Sequence, residues 1–165
     1  VDIDQIGDTN SFLASILQGN SSSWDWLVTG DSNTGTFAVG GTGDVQNSDF
    51  DYTATGDSNI FSWTQGAAST ATGGNQDFSI TGTSNEFTGT CEVVGCINNW
   101  TISGNSNDIT TTQTGSADHS ITASLTGSSN TVTIDQTDTA STNVVNLIST
   151  TTNGTIDVDQ CASGC

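Results

Sequence analysis

The residues that could do chemistry are few: aspartates in phase with a recurring glycine, and one histidine. Asp8, Asp31 and Asp57 each follow such a glycine directly, so stacked glycines would stack these carboxylates. Paired carboxylates carry out glycoside hydrolysis, and carboxylate oxygens are ligands that Ca²⁺ accepts. No known calcium-loop motif is present, and stacked carboxylates in exposed turns usually form only a solvated face. His119 is the single imidazole of the chain, at an inward position where a structural role is more common than a catalytic one.

The sequence therefore predicts no enzyme, no catalytic residue and no cofactor. Weakly bound divalent cations at Asp8, Asp31 and Asp57 are the one metal expectation, and no metal site is certain.

The four cysteines form two close pairs in the sequence. A zinc site needs four ligands, usually at Cys-x2-Cys spacing or with histidine, and the spacings here are wider. We therefore predict two local disulfides, Cys91–Cys96 and Cys161–Cys165, formed in an oxidising compartment outside the cytoplasm.

Charge excludes several classes of partner. The chain has 165 residues, 18 Asp and Glu, and no Lys or Arg, which gives a formal net charge of -18. No side chain can neutralise phosphate, so nucleic acid and anionic lipid are not expected partners, and no apolar run is long enough to span a bilayer. Such a composition also fits disorder, but the Trp, Phe, Val, Ile and Thr residues favour strands. A start at Val1 without any Met fits removal of a leader or of an initiator Met alone.

A Gly-x-x-Asn motif recurs every 22 to 26 residues, which is typical of a solenoid. Its glycines are Gly7, Gly30, Gly56, Gly82, Gly104 and Gly127, with Thr150 in that place in the last copy; its asparagines are Asn10, Asn33, Asn59, Asn85, Asn107, Asn130 and Asn153. Glycine permits a positive φ, and Asn can cap its own turn. A plain hairpin turn in an antiparallel meander is the alternative, but the uniform period and phase favour stacked parallel coils with asparagine amides bonding along the stack.

Residues two, four and six positions before the Gly and after the Asn are mainly apolar, which indicates two strands per copy with one buried face. Several of these inward positions hold glutamine, which predicts an inward ladder of Gln5, Gln65, Gln113, Gln136 and Gln160. The last copy fits only if Gly154 is an extra residue, plausible as a bulge. The predicted fold is all-β: one solenoid of about seven stacked two-strand coils over residues 1–165, parallel and in register, with a short cysteine-containing tail at 161–165.

The pattern Gln-x-Gly-x-x-Asn-x5-Gln resembles the curlin repeat, the unit of bacterial curli fibres. Gln5-x-Gly7-x-x-Asn10 matches its first half, and three copies match its second half, namely Gly56-x-x-Asn59-x5-Gln65, Gly104-x-x-Asn107-x5-Gln113 and Gly127-x-x-Asn130-x5-Gln136. Apolar residues replace the first Gln at Val28, Ala54, Ile80, Ile102 and Leu125, and Ile16, Val39 and Cys91 replace the second. The resemblance implies a secreted β-solenoid that assembles into amyloid-like extracellular fibres of a biofilm matrix.

We therefore expect a secreted structural subunit whose partners are copies of itself, stacked head-to-tail into a filament. An ice-binding solenoid is the alternative, because Thr110-x-Thr112 and Thr131-x-Thr133 resemble flat threonine arrays. The positions after Asn59 are Ile60 and Ser62, which interrupts such an array. An adhesin module is a third option that only the repetitive surface favours. Three sequons, at Asn20, Asn99 and Asn153, are acceptors only where the source organism glycosylates them.

Overall fold

The chain folds into parallel β-sheets. A computed structural model describes residues 1–16, 19–20, 23–39, 45–46, 49–66, 74–92, 95–115, 119–138 and 143–161. Every regular element in these residues is a strand, and in chain order the strands are β1 (Asp2–Ile6), β2 (Ser11–Ile16), β3 (Gly19–Asn20), β4 (Ser23–Thr29), β5 (Thr34–Val39), β6 (Val45–Gln46), β7 (Asp49–Thr55), β8 (Ile60–Gln65), β9 (Asn75–Thr81), β10 (Glu86–Cys91), β11 (Ile97–Ser103), β12 (Asp108–Gly115), β13 (Ser120–Ser128), β14 (Thr131–Asp138), β15 (Val144–Thr152) and β16 (Thr155–Cys161).

Fourteen of these strands form two seven-stranded sheets. Sheet A has the order β1-β4-β7-β9-β11-β13-β15, and sheet B has the order β2-β5-β8-β10-β12-β14-β16. Each coil gives one strand to sheet A and the next long strand to sheet B, so the described residues form seven coils, numbered here 1 to 7 from the N-terminus. All pairings between coils are parallel and in register. The predicted all-β solenoid is confirmed; β3 and β6 add a two-stranded sheet between coils.

The buried face of each strand follows from its alternating sequence. In β7, for example, Phe50, Tyr52 and Ala54 are buried and the residues between them are exposed. Because coils repeat in register, each inward residue lies over its counterpart in the next coil, and the two sheets share one continuous core. Burial of this apolar surface stabilises the fold by about 25 cal/mol per Å².

Aromatic rings fill the core of coils 2 to 4. The Tyr52 and Phe61 rings stack with centroids 3.8 Å apart, and Phe61 and Phe87 stack at 5.4 Å. Such pairs contribute about 0.5–1.5 kcal/mol each beyond their buried area. Gly35 takes an inward position opposite Trp26, since a β-carbon there would overlap the Trp26 ring. Aliphatic residues predominate in coils 5 and 6, where Ile109, Ile121 and Ile134 are fully buried beside Trp100 of coil 5.

The phase of coil 7 differs from the sequence prediction. Gly127 pairs with Thr151, and the 24-residue offset continues through Gln136 and Gln160. The additional residue therefore precedes β15, and the predicted bulge at Gly154 is wrong. The cause is the connection between β14 and β15, which is one residue longer than the connection between β12 and β13. Both sheets keep their register on either side of it.

Candidate stacking surfaces

The Gly-x-x-Asn turns form one column that joins sheet A to sheet B in coils 1 to 6. Gly7, Gly30, Gly56, Gly82, Gly104 and Gly127 all have positive φ, from 112° to 137°. The residue before each Asn, from Thr9 to Ser129, is left-handed with φ between 57° and 63°. Each turn therefore has two positive-φ residues separated by one residue, and glycine takes the first of these φ values without strain.

Close stacking is a second reason for glycine in this column. A β-carbon on Gly30 would lie 2.6 Å from the Gly7 carbonyl oxygen, and one on Gly104 would lie 2.7 Å from the Gly82 carbonyl carbon. Real β-carbons do not approach so closely, so a side chain on any of the column glycines from Gly30 to Gly127 would push neighbouring coils apart.

The six asparagines from Asn10 to Asn130 form a continuous ladder with one direction. Each Oδ1 from coil 2 onward accepts a hydrogen bond from the backbone N–H of the Asn one coil earlier: Asn10 to Asn33 at 2.8 Å, then Asn33 to Asn59, Asn59 to Asn85, Asn85 to Asn107 and Asn107 to Asn130, each at 2.9 Å. The predicted stacking of asparagines is confirmed for these six, but the bonds run from backbone to side chain and not from amide to amide. The Nδ2 groups of Asn10 and Asn33 cap the Gly7 and Gly30 carbonyls of their own turns, at 2.6 and 2.9 Å.

Asn153 does not belong to this ladder, which corrects the sequence prediction. It has φ 57° and occupies the left-handed position of Ser129, while Gly154 occupies the position of Asn130. Thr151, not Thr150, stands where the other coils have glycine. Gly154 offers no side-chain oxygen, so the ladder is interrupted at coil 7.

Each aspartate that follows a column glycine accepts a hydrogen bond from a backbone N–H of the next coil. Asp8 Oδ1 accepts from the Asp31 N–H at 2.9 Å, Asp31 Oδ1 from the Asp57 N–H at 2.7 Å, and Asp57 Oδ1 from the Thr83 N–H. In coil 5 the amide of Asn105 replaces the carboxylate and accepts from Ser128 N–H at 2.7 Å. No group of three His, Cys, Asp or Glu residues in the described ranges is arranged to hold a metal ion.

The predicted glutamine ladder is shorter than expected. Gln160 donates to Gln136 at 2.7 Å and Gln136 donates to Gln113 at 2.6 Å, all in sheet B. Gln65 is separated from them by Cys91, and instead accepts from Gln76 across the core at 3.2 Å. Gln5 lies in sheet A, because it precedes the turn.

Cys91 and Cys96 form a disulfide between coils 4 and 5, with Cα atoms 6.6 Å apart. Both residues are fully buried, and His119 Nδ1 accepts a hydrogen bond from the Cys96 N–H at 3.3 Å. His119 is itself buried, which fits the structural role expected of it. The predicted Cys161–Cys165 bridge lies outside the described residues.

A carboxylate column on the outer face of sheet A escaped the sequence prediction. Asp25, Asp51 and Asp77 are in register in coils 2 to 4, Asp2 precedes them in coil 1, and Asn99 follows them in coil 5. Asp25, Asp51, Asp77 and Asn99 line an open groove of about 480 Å³. Burial, and then the charges of Asp77, Asp25 and Asp49, raise the pKa of Asp51 above its ordinary value. The signal was present, because each of these residues lies five positions before the turn glycine.

Hydroxyl groups also align on the outer faces. Thr29, Thr55, Thr81, Ser103, Thr126 and Thr150 form one exposed column of sheet A. A second hydroxyl column runs beside it from Thr53 to Ser124 in coils 3 to 6. On sheet B, Ser62 and Thr64 align with Thr88 and Thr90 and then with Thr110 and Thr112. The expectation of an interrupted array came from comparing Thr110 with Ile60. The structure aligns Thr110 with Ser62 instead, and Ile60 with Asp108.

The first and last coils expose inward positions that other coils bury. Ile156 and Val158 in coil 7 are each 39% exposed. At coil 1, Ile3, Gln5 and Phe12 line an open groove of about 290 Å³. The Gln5 Nε2 and Oε1 atoms are buried without a hydrogen-bond partner among the described residues.

Of the three sequons, Asn99 has its Nδ2 bonded to Asp77 Oδ1 at 2.7 Å and to Asn75 Oδ1 at 3.0 Å. Asn153 is exposed in its turn, and the side chain of Asn20 lies outside the described part of the chain.

Within the described residues, no helix combines the length and apolar character needed to cross a membrane. Comparisons with protein-family models, curated proteins and solved structures found no match. The resemblance to curlin repeats therefore depends on the residues of the chain itself.

Proposed function

We propose that the chain is a secreted structural subunit that stacks end to end into an extracellular filament. The observation that carries this proposal is the state of the two terminal coils. Coil 7 leaves Ile156 and Val158 partly exposed on the inward side of β16, and coil 1 leaves Ile3 and Phe12 only partly buried. Among the described strands, both coils also present a sheet edge, which is a template for pairing with another chain.

A second copy is the partner that fits both edges. The two ends of a solenoid have the same two-strand cross-section, so coil 7 of one copy can extend into coil 1 of the next. Such a head-to-tail contact does not close, and it generates a filament. The curlin-like spacing of Gly, Asn and Gln supports the same role and an amyloid-like fibre in a biofilm matrix. The disulfide between Cys91 and Cys96 favours an oxidising location outside the cell.

Electron microscopy and fibre diffraction of the purified full chain test this function. We expect unbranched filaments with a reflection of about 4.8 Å along the fibre axis, because the strands lie across that axis. Sedimentation at a series of protein concentrations should show a critical concentration, above which the added protein is recovered in filaments. A chain that stays monomeric by sedimentation at high concentration, in both low and high salt, contradicts the proposal.

Ice binding is a second candidate, and the hydroxyl columns favour it. Sheet A carries paired hydroxyls in four successive coils, from Thr53 and Thr55 to Ser124 and Thr126. In-register strands place them at about 4.8 Å along the axis and at about 6.6 Å along each strand. Thermal hysteresis of a dilute solution is the measurement. If ice binding is the function, Thr81→Glu on sheet A should abolish the thermal hysteresis, whereas the control Thr90→Glu on sheet B should leave most of it. The absence of hysteresis in the unmodified chain would rule this candidate out.

A further inference from the structure

We propose that copies join in one register and one direction, with the Gly154 N–H of one copy donating to Asn10 Oδ1 of the next. This inference rests on the proposed filament function and specifies its junction. The asparagine ladder supplies the direction, since every bond runs from a backbone N–H to the Oδ1 of the following coil. Asn10 Oδ1 begins the ladder with no described coil before it. Gly154 N–H is the backbone donor at the same position of coil 7, one coil beyond the interruption.

Continuing the register of the coils fixes the inward contacts at the junction. Coil 7 would precede coil 1 as coil 1 precedes coil 2. Val145 then lies over Val1, Leu147 over Ile3, Ile156 over Phe12 and Val158 over Ala14 of the next copy. Each of these pairs is apolar, and Ile3, Phe12, Ala14, Val145 and Leu147 already pack against the ends of the core.

The same register gives the buried amide of Gln5 a partner. Ser149 occupies the inward position of sheet A that Gln5 occupies in coil 1, because Ser149 pairs with Leu125 and Gln5 pairs with Val28. The exposed Ser149 hydroxyl of one copy therefore lies over the Gln5 amide of the next. Burying an amide without a partner is costly, so this contact favours the junction.

The charges on the outer faces favour head-to-tail stacking over a junction of two N-terminal coils. In the proposed register Asn146 faces Asp2, Ile148 faces Asp4, Asp157 faces Leu13 and Asp159 faces Ser15, so no two carboxylates are directly opposed. The first two pairs lie on sheet A and the last two on sheet B. A junction of two N-terminal coils would instead bring Asp2 and Asp4 of one copy against those of the other, which is destabilising.

Cysteine cross-linking between copies tests the register. Ser11 and Thr155 are exposed residues of sheet B that the junction makes neighbours. Their Cα atoms would lie about 4.8 Å apart, within the range of a disulfide. Ser11→Cys and Thr155→Cys are made in separate chains that also carry Cys161→Ser and Cys165→Ser, and the chains are mixed before oxidation.

We expect a disulfide dimer in the mixture and none in either variant alone. A dimer of Ser11→Cys with itself indicates joined N-terminal coils, and a dimer of Thr155→Cys with itself indicates joined C-terminal coils; either overturns the inference. The matched control, Ser15→Cys mixed with Thr155→Cys, separates the thiols by four residues and should not cross-link. Filaments without the expected dimer overturn the junction but leave the proposed function intact, whereas the absence of filaments by microscopy overturns both.

A charge substitution provides a second test. Leu13 is 77% exposed on the outer face, so Leu13→Asp should leave the subunit folded but place a carboxylate opposite Asp157 of the preceding copy. A like-charge cross-strand pair predicts a rise of about fivefold in the critical concentration at low salt. Leu13→Asn is the neutral control, and adding Asp157→Asn to Leu13→Asp should restore assembly. If Leu13→Asp and Leu13→Asn have equal critical concentrations, the proposed register is wrong.

Discussion

Replacing Gly104 by alanine tests whether close stacking, and not only backbone conformation, requires glycine in the turn column. Gly104 has φ 137°, and an added β-carbon would overlap the Gly82 carbonyl oxygen. Gly95 is the matched control, because it also has a positive φ, of 72°, but a β-carbon there meets nothing within 4 Å. Both substitutions reduce the entropy of the unfolded chain in the same way, so that effect cancels in the comparison.

The expected magnitudes differ severalfold. Gly95→Ala should cost about 1 kcal/mol, the strain of a left-handed alanine. Gly104→Ala carries backbone strain of about 2 kcal/mol. It must also part coils 4 and 5, where Gly82 N–H donates to Ser103 O at 3.0 Å and Asn85 N–H donates to Asn107 Oδ1 at 2.9 Å. Two such bonds are worth about 1 kcal/mol each, so Gly104→Ala should cost about 4 kcal/mol in total.

Denaturant unfolding followed by tryptophan fluorescence measures both variants, since Trp100 is buried in the same coil as Gly104. Hydrogen exchange locates the damage, which should centre on coils 4 and 5 because coils contact only their neighbours. If Gly104→Ala lowers the denaturation midpoint no more than Gly95→Ala, the stacking explanation fails and conformation alone accounts for the glycines.

Three further predictions concern single sites. Asp51→Asn should raise stability at neutral pH, because the pKa of Asp51 is raised in the folded state by burial and by neighbouring carboxylates; its stabilising contribution is complete below its unfolded pKa and is lost as pH rises through the folded pKa. The gain over the unmodified chain, measured by thermal melts, should therefore vanish in acid, and an equal gain at every pH would contradict this cause. Asn85→Ala should cost about 1–3 kcal/mol by leaving the buried Asn59 N–H without its acceptor, and more than Asn105→Ala, whose ladder bond is exposed; equal losses would argue against the buried ladder. Replacing Cys91 and Cys96 by alanine should cost about 2 kcal/mol for so short a loop, and melting of the unmodified chain with and without reductant should show a similar loss.

Most of the fold was predictable from the sequence because the turn motif has a fixed phase. Each turn glycine and each ladder asparagine contacts its counterpart one coil away. A regular spacing in the sequence therefore becomes a column in the structure. The inward residues of most strands could be predicted from the alternation of apolar and polar residues alone. The type of ladder bond was not predictable, because an asparagine amide can bond either to another amide or to the backbone of the next coil, and only the coil spacing decides.

The failures have equally local causes. In coil 7 the sequence Thr151-Thr152-Asn153-Gly154 offers two ways to place a turn, and the number of residues between β14 and β15 decides between them. Gln5 was assigned to a ladder with glutamines of the other sheet, although its place before the glycine puts it in sheet A. The column of Asp25, Asp51 and Asp77 was overlooked because its residues lie in mid-strand, where outward residues appear only as solvated polar positions.

Two columns of carboxylates recur along the coils, and neither column requires its charge within a coil. In the turn column, Asp31 supplies an oxygen to a backbone N–H, and Asn105 supplies the same bond in coil 5 with a neutral amide. In the sheet A column, Asn99 follows Asp77 in register without loss of pairing and donates to it. Since the fold itself uses amides at both kinds of position, the charge of these two columns is not a requirement of coil geometry. Under the proposed function we expect its effect between molecules, where acidic faces repel one another and salt screens that repulsion. If the proposed filament forms, we therefore expect its subunits to join along the solenoid axis rather than side by side.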